Sequence, residues 1–168
     1  GPVRGPAKTP FTRSADLPRD TKPPVGRTKH MWKIPLPDQP IRGAIASLSG
    51  VSEFDQHSFQ FNMFAHKICI GRGMPILEFD VAKYTDCKTI SHRHASIEFN
   101  PDKKCFIFNN LGRNGTRINE EQIGGKSNVN IPLVLYPGDV IEMGRFRMTF
   151  SVYRSNGFET IYDQGPPE

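Results

Sequence analysis

Long apolar runs are missing from these 168 residues. No stretch approaches the ~20 consecutive apolar residues that cross a bilayer, and the opening residues GPVRGPAKTP lack the apolar core of a secretory signal. Both absences predict a soluble, intracellular chain with no membrane partner. Cysteine is scarce: there are three, an odd number, and Cys69 and Cys105 lie within alternating apolar stretches, the pattern of reduced thiols rather than of a disulfide framework. Helical periodicity is also lacking. No window of roughly 11 residues or more carries an apolar i, i+3, i+4, i+7 face, which excludes coiled coils and confines helix to a turn or two. Tryptophan occurs once, yet 12 phenylalanines and 36% hydrophobic residues are too many for wholesale disorder. One folded domain plus a tail accounts for the length.

The net charge of +5 is unevenly placed. Residues 1–42 hold nine Lys or Arg against Asp16, Asp20 and Asp38, a net +6, together with nine of the 15 prolines. Residues 43–168 hold 13 Lys or Arg against 14 Asp or Glu, a net −1. A basic, Pro-rich stretch without apolar period cannot offset its own ordering entropy. Residues 1–40 are therefore expected as a disordered or loosely docked arm, in which Met31-Trp32-Lys33-Ile34 is the one stretch able to dock. Residues 41–158 are the expected folded unit, and 159–168 a C-terminal tail.

From Ile41 onward the dominant period is two. Ser58–Phe64, Lys67–Ile70, Ala95–Phe99, Cys105–Phe108 and Arg145–Val152 alternate with varying strictness, and Asn100-Pro101-Asp102, Asn114-Gly115, Gly124-Gly125 and Pro137-Gly138-Asp139 punctuate them. About ten short strands in an all-β antiparallel sandwich follow from this pattern. If residues 93–99 pair with 105–109 through the Asn100–Lys104 turn, Ser91 and Asn114 emerge at one end of the sheet. Loops gathered at a sandwich end are the usual seat of binding chemistry. Periodicity does not say whether Arg72 joins them.

Four blocks carry the chemistry: Ile70-Gly71-Arg72, Ile90-Ser91-His92-Arg93-His94-Ala95-Ser96-Ile97, Asn110-Leu111-Gly112-Arg113-Asn114-Gly115-Thr116-Arg117-Ile118-Asn119 and Gly138-Asp139-Val140-Ile141. In order and spacing they resemble the signature blocks of the forkhead-associated (FHA) domain, over about residues 41–155. The resemblance implies an eleven-stranded β-sandwich of the FHA/SMAD-like class that binds phosphothreonine peptides, without catalysis and without a cofactor. Carried over by position, it makes Arg72 the phosphate contact, Ser91 a hydroxyl donor to the same group, and Asn114 the carboxamide that pins the peptide backbone. His94 corresponds to a bracing histidine, and Gly71 and Gly115 to the family glycines. Two positions depart from the family pattern. Arg113 stands where a Thr or another small residue is common and would bring a second cation to the phosphate. His92 replaces a frequent Arg or Asn and is a candidate peptide contact, as is Thr116 at the pocket edge.

The residue types suit the task. A phosphothreonine carries about −1.5 to −2 charges and three acceptor oxygens, which a guanidinium fork matches better than an ammonium does. A carboxamide both donates and accepts, as a peptide main chain requires of its partner. The segment Leu111–Gly115 is similar to the Leu-Gly-Lys-Asn-Gly of forkhead-box K transcription factors, and Tyr84–Ser91 to FHA segments of PHD-finger chromatin regulators. A nuclear transcription or chromatin role is what these similarities imply, with a cytoplasmic one as the alternative.

Other readings compete with this one. The basic arm alone would hold nucleic acid or an acidic protein weakly, with the sandwich as scaffold, although Phe11 and Trp32 are its sole stacking aromatics. Phosphorylation at Thr9, Thr12, Thr21 or Thr28 would let the arm enter the pocket of its own or a neighbouring molecule, making self-association phosphorylation-dependent. His92, His94 and Cys87 lack zinc-ligand spacing, and no metal is expected. Gly124-Gly125-Lys126-Ser127 copies the end of a phosphate-binding loop, but Glu120 stands where its first glycine belongs and no helix pattern follows. No Ser/His/Asp set is supported, so no enzyme is expected.

Overall fold

The computed structural model describes residues 36–154 and 159–164. Residues 1–35, with the docking candidate Met31–Ile34 and the four arm threonines, lie outside the described residues. Eleven strands follow one another: β1 (Ala46–Val51), β2 (Ser58–Met63), β3 (Lys67–Gly71), β4 (Phe79–Asp80), β5 (Ala95–Asn100), β6 (Cys105–Asn110), β7 (Thr116–Ile118), β8 (Glu121–Ile123), β9 (Leu133–Leu135), β10 (Val140–Met143) and β11 (Phe146–Val152). Among the described residues helix is limited to two single 3-10 turns, Val81–Lys83 and Ile161–Gln164. One sheet has the order β2-β1-β11-β10-β7-β8 and the other β4-β3-β5-β6-β9. The expected all-β sandwich is what forms.

Alternation decides which faces meet. In β11 Phe146, Met148, Phe150 and Val152 are buried while Arg147 is exposed, the signature of a strand with one wet face. Phe106 of β6 and Phe150 of β11 meet edge to face across the two sheets, ring centroids 5.5 Å apart. Both side chains are fully buried, and each contributes about 1.5–3 kcal/mol relative to exposure. A second aromatic group closes the opposite flank, with Phe59 stacked on Tyr84 at 4.1 Å and Phe61 on Phe79 at 4.5 Å.

The β5–β6 hairpin forms where the turn residues place it. The Asn100 Oδ1 accepts from the amides of Asp102 (2.9 Å) and Lys103 (2.8 Å), and Lys104 takes a φ of 59° to return the chain. Its register pairs Asn100 with Cys105 and Ala95 with Asn110. Residues just before Ala95 and just after Asn110 therefore leave the sheet at the same end. β3 lies antiparallel to β5 with Ile70 opposite Ala95, which delivers Gly71 and Arg72 to that end too.

Two features depart from the pattern expected of the sequence. The pairing of β3 with β4 is parallel, Ile70 opposite Phe79 and Gly71 opposite Asp80, in an otherwise antiparallel sandwich. Residues 72–78 lead back along the sheet edge, and the Asp80 carboxylate fastens the return by accepting from the amides of Gly73 (2.8 Å) and Ala82 (2.9 Å). Near the C-terminus, Tyr162 is buried rather than trailing in solvent. Its hydroxyl sits between β6 and β9, donating to the Leu135 carbonyl (2.6 Å) and accepting from the Phe106 amide (2.9 Å).

Candidate functional site

Three chain segments far apart in sequence are bonded to one another at this sandwich end. The Arg72 Nε donates to the Ile90 carbonyl at 2.8 Å, and one terminal nitrogen reaches toward the Lys88 carbonyl at 3.5 Å. The Asn114 Nδ2 donates to the Thr89 carbonyl at 2.9 Å. The Ser91 Oγ accepts from the Arg113 amide at 3.2 Å. Arg72 and Asn114 thus both bond the loop 88–91 that carries Ser91, and the structure brings together the two residues expected on the phosphate, Arg72 and Ser91, and the one expected on the peptide main chain, Asn114.

Each bond also sets what the side chain has left to offer. Arg72 is partly exposed, and with Nε on Ile90 and one terminal nitrogen leaning toward Lys88, its other terminal nitrogen makes no bond among the described residues. Because Ser91 Oγ is an acceptor toward Arg113, its own hydroxyl hydrogen remains available as a donor. The Asn114 Oδ1 makes no bond among the described residues and is exposed, an acceptor for a main-chain N–H. One Arg72 terminal nitrogen and the Asn114 Nδ2 are engaged by the loop carbonyls, while the other Arg72 terminal nitrogen, the Ser91 hydroxyl hydrogen and the Asn114 Oδ1 are left for a ligand.

Behind these groups lies His94, fully buried. Its Nδ1 accepts from the Ser91 amide at 3.0 Å, and its Nε2 meets the Gly115 carbonyl at 2.8 Å. An N–H on one side and a carbonyl on the other admit one tautomer, neutral with the proton on Nε2. Burial pushes its pKa below the ordinary histidine value, against a smaller upward pull from the Gly115 carbonyl. His94 therefore couples the two loops that carry Ser91 and Asn114.

Glycines make the close approaches possible. A Cβ on Gly71 would lie 1.9 Å from the His92 carbonyl oxygen, and Gly115 takes a φ of +78° with Ile123 and Gly124 carbonyls within 2.8 Å of any Cβ.

His92, expected as a peptide contact, braces Arg72 from both sides: its Nδ1 bonds the Arg72 carbonyl at 2.7 Å, and its carbonyl accepts from the Arg72 amide at 3.2 Å. Its ring is exposed. Arg113 is exposed, and its amide rather than its guanidinium makes the bond to Ser91. Thr116 is not brought to the surface: it is 1% exposed, and its hydroxyl donates to the Asn110 Oδ1 at 2.8 Å. As the first residue of β7 it braces the loop from inside, and it has no surface to give a peptide. Among the described residues no group of three or more His, Cys, Asp or Glu is placed to hold a metal.

Sequence reasoning assigned no role to Gly112. A Cβ there would lie 2.4 Å from the His94 ring, so this glycine lets the imidazole fit beneath the loop. The signal is a second glycine, beside Gly115, in the Asn110–Asn119 block. The Lys88 and Thr89 carbonyls had no sequence signal, since any residue supplies one.

The family model of the FHA domain matches residues 68–144, from β3 to the turn after β10. The chain carries an FHA domain. This family consists of interaction modules whose known role is to bind phosphothreonine peptides. Over 78 residues the chain is 36% identical to Fork-head transcriptional regulator 2 of Candida albicans, an alignment covering 45% of this chain and 10% of that protein. The chain thus spans about a tenth of that relative's length. Among solved structures, the FHA domain of the CT664 protein from Chlamydia trachomatis superposes with a TM-score of 0.52 at 15% identity, covering 66% of this chain and all of that one. Mycobacterium tuberculosis EmbR, solved with a low-affinity phosphopeptide, gives a TM-score of 0.50 at 22% identity, covering 68% of this chain and 26% of that one. At these identities the structural likenesses establish the FHA fold. No helix among the described residues is long and apolar enough to cross a membrane.

Proposed function

We propose that the FHA domain of this chain reads a phosphothreonine on a partner protein, with Arg72 and Ser91 on the phosphate and Asn114 on the peptide main chain. The observation that carries this is the convergence of Arg72 and Asn114 on the one loop 88–91 that carries Ser91. A dianion placed over that loop meets the terminal N–H groups of Arg72 and the hydroxyl of Ser91. The Arg113 amide orients Ser91, and its guanidinium adds positive potential nearby. Gly71, His94 and Gly115 hold the loops at the required spacing. His92 acts chiefly by fixing the Arg72 backbone.

Binding of this kind needs no bond making, so recognition is the whole activity. Titration of a threonine peptide library, with and without phosphate, tests it. Phosphate-dependent binding is the expected result, and equal binding of both forms refutes the reading.

The similarity to a fungal forkhead regulator supports a finer proposal, that the module serves a nuclear transcriptional regulator by recruiting a kinase-marked partner. Imaging of the tagged protein tests this; exclusion from nuclei counts against it.

A further inference from the structure

Several cations along the strands and the turns remote from the site are paired: Arg117 and Arg147 with Glu142 (3.0 and 3.2 Å), Arg145 with Glu53 (3.0 Å) and Asp86 (2.5 Å), and Lys67 with Glu98 (3.8 Å). Around the site loops Arg72, Lys88, Arg93, Arg113 and Lys126 have no carboxylate within ion-pair distance among the described residues. Two of these, Arg113 and Lys126, line a depression beside the proposed phosphothreonine site together with Thr89, Asn114, Gln122 and Gly125. No acidic side chain lines it.

Lys126 is delivered there by the fold. β8 pairs with β7 so that Ile123 lies opposite Thr116, which brings Gly124 and Gly125 back beside Gly115 and Asn114. Gly125 takes a φ of +63°, and a Cβ on it would lie 2.5 Å from the Asn114 carbonyl oxygen. Only a glycine there lets the chain pass so close and set Lys126 on the rim. The Gly124-Gly125-Lys126-Ser127 motif, meaningless as a nucleotide loop, acquires a use. The Gln122 Nε2 ties this turn to the site by donating to the Gly124 carbonyl at 3.1 Å, with a longer contact of 3.4 Å to the Asn114 carbonyl.

The geometry points to a second anion subsite: the depression between Arg113 and Lys126 takes a second acidic group, carboxylate or phosphate, from the same phosphothreonine peptide. It rests on the phosphothreonine reading above, because Asn114 belongs to both cups and fixes them side by side. Two unpaired cations facing a cavity without carboxylates favour an anion over a neutral side chain. As the groups are solvent-exposed, each pair contributes modestly, so one added carboxylate should tighten binding about two- to fivefold. A phosphate, with nearly twice the charge, should gain more.

The test is fluorescence-anisotropy titration of the full chain. The probes are a phosphothreonine peptide with neutral flanks and a set carrying one Glu or one phosphoserine at each flanking position in turn. A gain confined to one or two positions, larger for phosphoserine and shrinking with salt, supports the subsite. Lys126→Ala should erase that gain while leaving the neutral phosphothreonine peptide within about twofold of wild type, and Lys126→Glu should turn it into a loss. The subsite is overturned if the neutral peptide binds in a phosphate-dependent way but no position gains from an anion, or if the gain survives in Lys126→Ala. Absence of any phosphate-dependent binding would overturn the parent reading instead and take the subsite with it.

Discussion

Replacing Arg72 is the sharpest perturbation of the proposed site, and its size follows from the bonds Arg72 makes. A guanidinium has five N–H donors. One is held by the Ile90 carbonyl and a second leans toward Lys88, leaving the remaining donors for phosphate. Charge-assisted hydrogen bonds contribute about 1.5–3 kcal/mol each. At a half-exposed position water replaces part of what is lost, so Arg72→Ala should forfeit the equivalent of one such bond. That corresponds to phosphopeptide binding about 10- to 150-fold weaker. Arg72→Lys keeps the charge but loses the Nε anchor on Ile90 and the planar fork, and should fall between wild type and Arg72→Ala. Calorimetric or anisotropy titration against a phosphothreonine peptide and its unphosphorylated twin reads the effect. Thermal unfolding runs alongside, because removing Arg72 also leaves the Ile90 carbonyl without this partner, at a cost of about 1 kcal/mol. A folded Arg72→Ala protein that binds the phosphopeptide with wild-type affinity refutes the reasoning, as does an equal loss on the unphosphorylated twin.

Stability should depend on pH through His94. Its folded-state pKa lies below the unfolded value of about 6.5, so the unfolded chain takes the proton first. The neutral ring's contribution is complete above about pH 6.5 and is lost as pH falls below it, at no more than about 1.4 kcal/mol per pH unit. Urea midpoints for wild type and His94→Gln between pH 7.5 and 5.5 should show a steeper fall for wild type, and parallel profiles would rule out the assignment. Gly115→Ala forces a side chain into a left-handed backbone position against two carbonyls, and should cost about 1–3 kcal/mol with weakened phosphopeptide binding; an unchanged denaturation midpoint would contradict this. Tyr162→Phe leaves the Leu135 carbonyl and Phe106 amide without its hydroxyl and should destabilise by about 1–3 kcal/mol, measured by chemical denaturation. A neutral result would mean that residues 159–164 do not belong to the cooperative unit.

The parts of the fold legible in the sequence are those specified locally. Alternation in Arg145–Val152 and Cys105–Phe108 states which residues face inward, because a strand's side-chain period is two whatever lies beside it. Asn100 carries its own turn chemistry, so the β5–β6 hairpin, and with it the nearness of Ser91 to Asn114, was deducible before any coordinates. Tertiary structure decided the rest. Arg72 reaches the site because β3 pairs with β5 in the register that sets Ile70 against Ala95, and no local pattern in either strand specifies that partner. Thr116 turns inward because the Asn110 carboxamide awaits it there, and Lys126 stands beside Asn114 because β8 folds back on β7. Tyr162 fills a gap between strands more than 20 positions away. Period and turn preference are properties of a few neighbouring residues, whereas register and the covering of a strand's second face arise only when distant segments exclude water together.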